Sequence, residues 1–183
     1  MYRWIGFGLG SIVLTAVSWK SLRRPGAHGF HRFFAWESIL ALFLINVTYW
    51  FHDPFSWNQL IAWTLLVLSL IPLFLGIHDL RMHGRPADQR QGDPSLLTFE
   101  KTTRLVTEGI YHYIRHPLYS SLLLLTWGIF FKAPGIVALL PALMSSFFLW
   151  RTAKADEAEC IHFFGQDYAE YMERTKRFVP YLF

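Results

Sequence analysis

Long apolar runs separated by short polar segments dominate this chain. A membrane span needs about 20 mostly apolar residues when it crosses straight, and the first three runs reach that length once flanking residues are counted. The last two runs are shorter, and the four-residue link between them predicts a tight turn and an antiparallel helical hairpin. The pattern predicts an all-α, polytopic membrane protein of one domain (residues 1–183). The predicted spans, about five in number, are residues 4–19, 33–51, 60–77, 118–131 and 136–150.

The composition agrees with a membrane protein. Of the 183 residues, 53% are hydrophobic, 18% are aromatic and only 16% are charged, with a mean hydropathy of +0.27. A soluble domain of this size carries more charge. The single Cys160 rules out an intrachain disulfide and a cysteine-rich metal site. No H-E-x-x-H or comparable spacing is present among the histidines, so no metal is expected.

Basic residues are distributed unevenly between the two sides of the predicted spans. Residues 20–32, 81–115 and 151–183 contain 15 of the 17 Lys and Arg residues, and only Arg3 and Lys132 fall on the other side. The positive-inside rule therefore predicts that these three segments are cytoplasmic and that the N-terminus is outside. The basic cluster follows the first apolar run, which predicts an anchor and not a cleaved signal peptide. The net charge of +4 suits anionic lipid headgroups, and nothing indicates a nucleic-acid partner.

Two predicted cytoplasmic segments have local patterns of their own. Residues 84–94 are rich in Gly, Pro, Asp, Gln and Arg and predict an exposed loop. Glu100 follows in the segment that leads back to the membrane, and we expect it to lie outside any site. Residues 156–175 predict a cytoplasmic amphipathic helix, since apolar residues recur there at helical spacing. Its predicted face consists of Glu157, Ile161, Phe164, Tyr168 and Met172.

Charged residues at two membrane boundaries are candidates for a site. Arg115 and His116 precede Pro117 at the start of an apolar run, where charged groups are costly to place. Taken alone, they are typical of interfacial anchors, because Arg side chains extend to headgroups and proline suits a first helical turn. Taken alone, Glu157 is typical of a helix start. Its position on an apolar face nevertheless requires a cationic partner.

Several short motifs follow one another in the C-terminal half of the chain. They are Leu-Val-Thr-Glu-Gly-Ile-Tyr at residues 105–111, Arg-His-Pro-Leu-Tyr at residues 115–119, the predicted hairpin, Asp156 with Glu157, Phe-Gly-Gln-Asp-Tyr-Ala-Glu-Tyr at residues 164–171, and then Arg177 and Pro180. In this order they resemble the isoprenylcysteine carboxyl methyltransferase family, membrane enzymes related to the phospholipid N-methyltransferases. The resemblance covers residues 105–180, under half of the chain.

The resemblance implies an S-adenosylmethionine-dependent methyltransferase that modifies a lipophilic acceptor at the cytoplasmic face. The implied partners are membrane lipids and a lipophilic or lipid-linked substrate. Residues 1–104 would provide the N-terminal spans and a loop, and residues 105–183 the cofactor-binding region. The acceptor group can be a carboxylate, a thiol or an amine. No Gly-rich Rossmann loop is present, so a soluble-type methyltransferase fold is not expected.

The resemblance also implies roles for individual residues. Arg115 and His116 would lie near the aminoacyl end of the cofactor, Tyr111 and Tyr119 would shape the pocket, and Glu157 would bind a cofactor hydroxyl or amine. An amine acceptor needs a base, for which Glu157 is the candidate. The implied cofactor-binding residues are Val106, Gly109, Ile110, Tyr111, Arg115, His116, Tyr119 and Glu157; the implied catalytic residues are Arg115, Glu157 and Arg151.

The chain departs from the family pattern in two places. Asp156 and Glu157 stand where the family usually has two glutamates, and Arg151 lies five residues before the pair instead of four. Lys154 is therefore an alternative to Arg151. Two other functions stay open: a non-enzymatic membrane subunit that binds a lipid or quinone, and a reductase of related architecture.

Overall fold

Six α-helices form the fold in the computed structural model, which describes residues 2–85 and 100–181. Short 3₁₀ turns follow α2, at Val47–Tyr49, and precede α4, at Gly109–His112. The predicted all-α fold is confirmed, whereas most of the predicted 84–94 loop lies outside the described residues. The helices are α1 (Tyr2–Leu22), α2 (His28–Asn46), α3 (Trp57–His83), α4 (Pro117–Lys132), α5 (Ile136–Phe164) and α6 (Gln166–Arg174).

Four of the helices are long and apolar enough to cross a membrane, which makes the protein polytopic. They are α1, α2 with its following turn, α3 and α5. The other predicted span, α4, has 16 residues and is about 24 Å long at 1.5 Å per residue. It is shorter than a hydrocarbon core of about 30 Å. Pro117 is its first residue, a position where the missing proline N–H is harmless.

The helices pack mainly in pairs. α3 lies against α4, α2 against α5, and α1 against α2. Two clusters of buried side chains hold the bundle together. The first consists of Ala35, Tyr119, Leu149, Ala153 and Phe178; the second consists of Leu42, Ile129, Ala138 and Ala142.

Polar contacts mark one end of the bundle. Arg3 Nη2 at the start of α1 donates to Thr48 Oγ1 after α2 at 2.7 Å. Lys132 Nζ at the end of α4 donates to Gln59 Oε1 in the first turn of α3 at 2.9 Å. Gln59 Nε2 also donates to the carbonyl of Tyr49, at 2.8 Å. Arg3 and Lys132 are the two basic residues predicted to lie on the opposite side of the membrane from the other 15. They therefore lie at the same end of the bundle.

The region predicted as one amphipathic helix differs in the structure. Asp156 and Glu157 do not begin a helix, because they lie inside α5, which continues from the apolar run as far as Phe164. Gly165, with φ +64°, ends α5, and α6 starts at the next residue. The prediction of a single helix over residues 156–175 was wrong. Acidic residues are favoured at helix starts, but here they belong to the last turns of a long helix.

The amphipathic character is present in α6 alone. Tyr168 and Tyr171 are its buried residues. The predicted apolar face does not extend back into α5, since Ile161 is 42% exposed. A glycine is suited to position 165 because other residues rarely adopt a positive φ. α6 can therefore fold back across the end of the bundle that carries Asp156 and Glu157.

Two glycines with open space around them allow a matched test of the predicted orientation. Gly26 lies between α1 and α2, Gly135 lies between α4 and α5, and a Cβ at either position meets nothing within 4 Å. On a Cys160→Ser background, we expect an impermeant thiol reagent to label Gly135→Cys in intact cells and to leave Gly26→Cys unlabelled. Labelling of Gly26→Cys from outside would reverse the predicted topology.

Candidate functional site

A tight turn before α4 fixes the start of the candidate site. Gly109 has φ +61°, and a Cβ there would collide with the carboxylate of Asp79. Asp79 Oδ2 accepts a hydrogen bond from the Ile110 N–H at 2.8 Å. The carbonyl of Tyr111 accepts one from the Tyr171 hydroxyl at 2.6 Å. The turn is therefore attached to α3 on one side and to α6 on the other.

The C-terminal segment runs alongside the Arg-His-Pro-Leu-Tyr motif. The N–H of Arg115 donates to the carbonyl of Lys176 at 2.8 Å, and the N–H of His116 donates to that of Arg177 at 3.1 Å. Ser120 Oγ donates to the carbonyl of Phe178 at 2.8 Å. These bonds connect positions about 60 residues apart in the chain, and they fix the orientation of the motif relative to the C-terminal segment.

The carboxylate of Glu157 is the centre of a buried ionic cluster. Its side chain is 5% exposed and accepts hydrogen bonds from Arg115 Nε at 2.9 Å and from Arg177 Nε and Nη2 at 3.0 and 2.7 Å. His116 Nε2 lies 3.4 Å away. A buried charge needs this degree of compensation. Glu157 thus joins α5, the motif and the C-terminal segment.

Arg115 also closes the end of α6. Its Nη1 donates to the carbonyl of Met172 at 3.1 Å and to the carbonyl of Thr175. These carbonyls belong to the last turn of α6 and to the residue after it, where helix carbonyls lack intrahelical partners. A cation at this end is also favoured by the helix dipole. Arg115 therefore connects Glu157 with the helix that covers the site.

His116 lies between the two acidic residues of α5. Its Nδ1 is 3.5 Å from Asp156 Oδ2, and its ring stacks on Tyr119 with centroids 5.3 Å apart. The Tyr119 hydroxyl donates to the same Asp156 oxygen at 3.3 Å. Burial lowers the pKa of His116, but hydrogen bonds with Asp156 and Glu157 outweigh it, so the pKa lies above the usual value. His116 is therefore protonated over a wider pH range than a solvated histidine.

A cavity of about 90 Å³ lies beside this cluster. Burial raises the pKa values of Tyr111, Tyr168 and Tyr171, so these phenols stay neutral at physiological pH. The cavity is smaller than typical ligand pockets of about 300–1,000 Å³. Its lining combines carboxylates, a guanidinium, a histidine, tyrosines and apolar side chains: Leu80, Glu100, Thr102, Leu105, Val106, Tyr111, Arg115, His116, Pro117, Leu118, Tyr119, Asp156, Cys160, Phe164, Tyr168 and Tyr171.

The structure brings most of the predicted site residues together. Val106, Tyr111, Arg115, His116 and Tyr119 line the cavity. Among the described residues, the lining does not include Glu157, which faces the cations, or Gly109 and Ile110, which form the turn. Arg151 is exposed on α5 and also lies outside the lining.

Sequence reasoning missed several lining residues. Glu100, which we expected to lie outside the site, lines the cavity and pairs with Arg32 Nη1 at 3.1 Å. Asp156 was noted only as the neighbour of Glu157. Tyr168 and Tyr171 belong to a motif that the resemblance contains, which was the available signal for them. Over residues 2–85 and 100–181, no group of three or more His, Cys, Asp or Glu residues is placed to hold a metal ion.

Comparison with known proteins gives two matches. The model of a family described as phospholipid methyltransferase matches residues 57–167. A protein-S-isoprenylcysteine O-methyltransferase from Schizosaccharomyces pombe is 34% identical over 84 residues, which cover 42% of this chain and 33% of that relative. The chain thus matches about a third of the length of this curated relative. No solved structure matches the chain significantly.

The ionic cluster predicts that Glu157 is important for stability. Glu157→Gln removes the charge that compensates two guanidinium groups and should cost about 3 kcal/mol, as expected for a broken buried ion pair. Glu173→Gln is the matched control, because Glu173 is exposed on α6, and it should change stability by less than about 0.5 kcal/mol. Thermal unfolding in detergent, followed by tryptophan fluorescence, measures both. Equal Tm values for the two variants would contradict the structural role of Glu157.

Proposed function

Because this chain belongs to the phospholipid methyltransferase family, we propose that it transfers a methyl group from S-adenosylmethionine to a lipophilic acceptor. The reaction takes place at the cavity beside Arg115 and His116, which we assign to the cytoplasmic face from the distribution of basic residues. The observation that carries the proposal is the family match. It includes both the 115–119 motif and the Asp156–Glu157 pair, and most residues of the cavity wall.

The chemistry of the cavity wall suits this cofactor. Asp156, Glu100 and neutral tyrosines provide the negative and π-rich surroundings that an onium group requires. Arg115, a guanidinium in the wall next to His116, can donate hydrogen bonds to a carboxylate, and Val106 and Leu105 offer an apolar surface for a purine. When bound, S-adenosylmethionine supplies an electrophilic methyl group. A cavity of about 90 Å³ must widen for it, by movement of side chains in the wall.

We assign a positioning role to Glu157. Its carboxylate already accepts hydrogen bonds from Arg115 and Arg177, and it is not part of the cavity wall within the described chain. It holds Arg115 and His116 in place at the cavity edge. Arg151 has no role in this proposal because its side chain is exposed away from the wall. Gly109 and Ile110 act through the turn that presents Tyr111.

Acceleration of methyl transfer comes mainly from alignment. The protein would have to hold the acceptor in line with the methyl group that bound S-adenosylmethionine would supply, so the wall residues contribute by fixing two molecules in one geometry. A carboxylate or thiolate acceptor needs no base. An amine acceptor must lose a proton, and we assign the role of base to Asp156, since the other carboxylate in the wall, Glu100, is paired with Arg32.

The boundary position of the cavity suits an amphiphilic acceptor. Leu80, Leu118 and Phe164 are half-buried apolar residues in its wall, and they belong to α3, α4 and the end of α5. An apolar chain can therefore remain among the helices while its polar head reaches Asp156 and His116. The S. pombe relative is named for a prenylated cysteine substrate, which supports a lipophilic acceptor here.

Cofactor binding tests the proposal directly. Labelled S-adenosylmethionine should bind the purified protein, and Asp156→Asn and His116→Ala should each weaken binding by about 10- to 100-fold, the effect of losing a charged hydrogen-bond partner. Glu173→Gln is again the matched control and should bind normally. Absence of binding to the unaltered protein would favour a non-enzymatic subunit or a reductase. Unchanged affinity in both site variants, with normal Tm, would return these residues to a purely structural role.

The acceptor should be recognised partly by its apolar chain. Lengthening an acyl or prenyl chain should lower KM. Each methylene that becomes buried should contribute up to about 0.8 kcal/mol to the free energy of binding. Assays in nanodiscs would compare lipid amines, prenylated cysteine analogues and long-chain thiols with short soluble counterparts. Equal turnover of the short acceptors would contradict access through the bilayer and leave methyl transfer itself unaffected.

A further inference from the structure

A second cavity lies between α1 and α2, at the end of the bundle that carries Arg3 and Lys132. Its volume is about 360 Å³, which falls within the range of ligand pockets. It is separate from the proposed methyl-transfer site, and the proposed function does not use it. Arg3, Trp4 and Phe7 of α1 and Ala41, Leu44 and Ile45 of α2 line it.

The packing of α1 on α2 explains why this groove exists. The two helices are tied together at two levels, by Arg3 with Thr48 and by Ser11 Oγ, which donates to Glu37 Oε2 at 2.7 Å. The groove lies between these levels. Trp4, which is 80% exposed, lines it together with Phe7 and the small Ala41, and these side chains leave part of the space between the helices open.

Arg3 provides a fixed cation in the groove wall. Its Nη1 donates to the carbonyl of Ile45 at 3.3 Å and its Nη2 to Thr48 Oγ1 at 2.7 Å. A guanidinium has five N–H donors in a planar fork, so these two bonds orient the group and leave further donors. Arginine held in this way is well suited to bind a phosphate through two parallel hydrogen bonds.

We propose that this groove binds an anionic phospholipid from the adjacent leaflet. The phosphodiester binds to Arg3, and one acyl chain lies against Phe7, Ala41 and Leu44. The six lining residues include one cation and no carboxylate, so the ammonium of a zwitterionic headgroup has no counter-charge there. An anionic headgroup therefore complements the site better. Because α1 packs mainly against α2, the bound lipid fills the gap in the contact that holds α1.

Photocrosslinking with a competing lipid tests this proposal. The purified full chain in nanodiscs receives phosphatidylglycerol with a diazirine in its acyl chain, and mass spectrometry locates the crosslinks. Crosslinks are expected at Trp4, Phe7 and Leu44. Unlabelled phosphatidylglycerol should compete at about fivefold lower mole fraction than phosphatidylcholine with the same chains, the preference expected from one basic residue at a membrane surface.

Three variants separate the headgroup contact from the apolar contact. Arg3→Gln should make the two lipids compete equally, and Ala41→Leu should remove the crosslinks by filling the groove. Arg24→Gln is the control, because Arg24 is an exposed arginine just beyond the other end of α1, and it should keep the fivefold preference. If Ala41→Leu does not fold, Arg3→Gln still decides the question. Equal competition in the unaltered protein, or crosslinks spread over all exposed helix faces, would overturn the proposal.

Discussion

The candidate site is organised around the buried carboxylate of Glu157. Glu157 lies within α5 with its side chain 5% exposed, and it accepts hydrogen bonds from Arg115 and Arg177. Removing a carboxylate and two guanidinium groups from water costs several kcal/mol per ion, and only close pairing repays this cost. The three charged groups therefore stabilise one another, because each would be costly to bury without the other two. Arg115 extends the same network to the end of α6.

The pairing of Glu157 with the guanidinium groups leaves Asp156 on the side of the cavity. Consecutive residues of an α-helix point about 100° apart, because a turn contains 3.6 residues. When Glu157 faces the two guanidinium groups, Asp156 faces the cavity and contacts His116 and Tyr119. Two adjacent acidic residues therefore have different roles: one holds the cations in place, and the other forms part of the wall. His116 lies between them and contacts both.

Apolar runs predicted the fold well because membrane-spanning helices are specified by local composition. The sequence could not predict where α5 ends, since Asp156 and Glu157 resemble a helix start and the break comes only at Gly165. The motif residues His116 and Tyr119 were found because they are close together in the chain. Glu100 was missed because its partner, Arg32, is 68 residues away and only the fold brings the two together.

The C-terminal segment shows how far the site depends on such distant contacts. Residues 175–178 contribute Arg177 to the ionic cluster and backbone carbonyls to Arg115, His116 and Ser120. Without this segment, Glu157 would retain Arg115 and His116 but lose its closest guanidinium, and the motif backbone would lose its hydrogen-bond acceptors. Buried polar groups without partners are costly. The described form of the cavity wall therefore depends on the packing of residues 175–178 beside the motif.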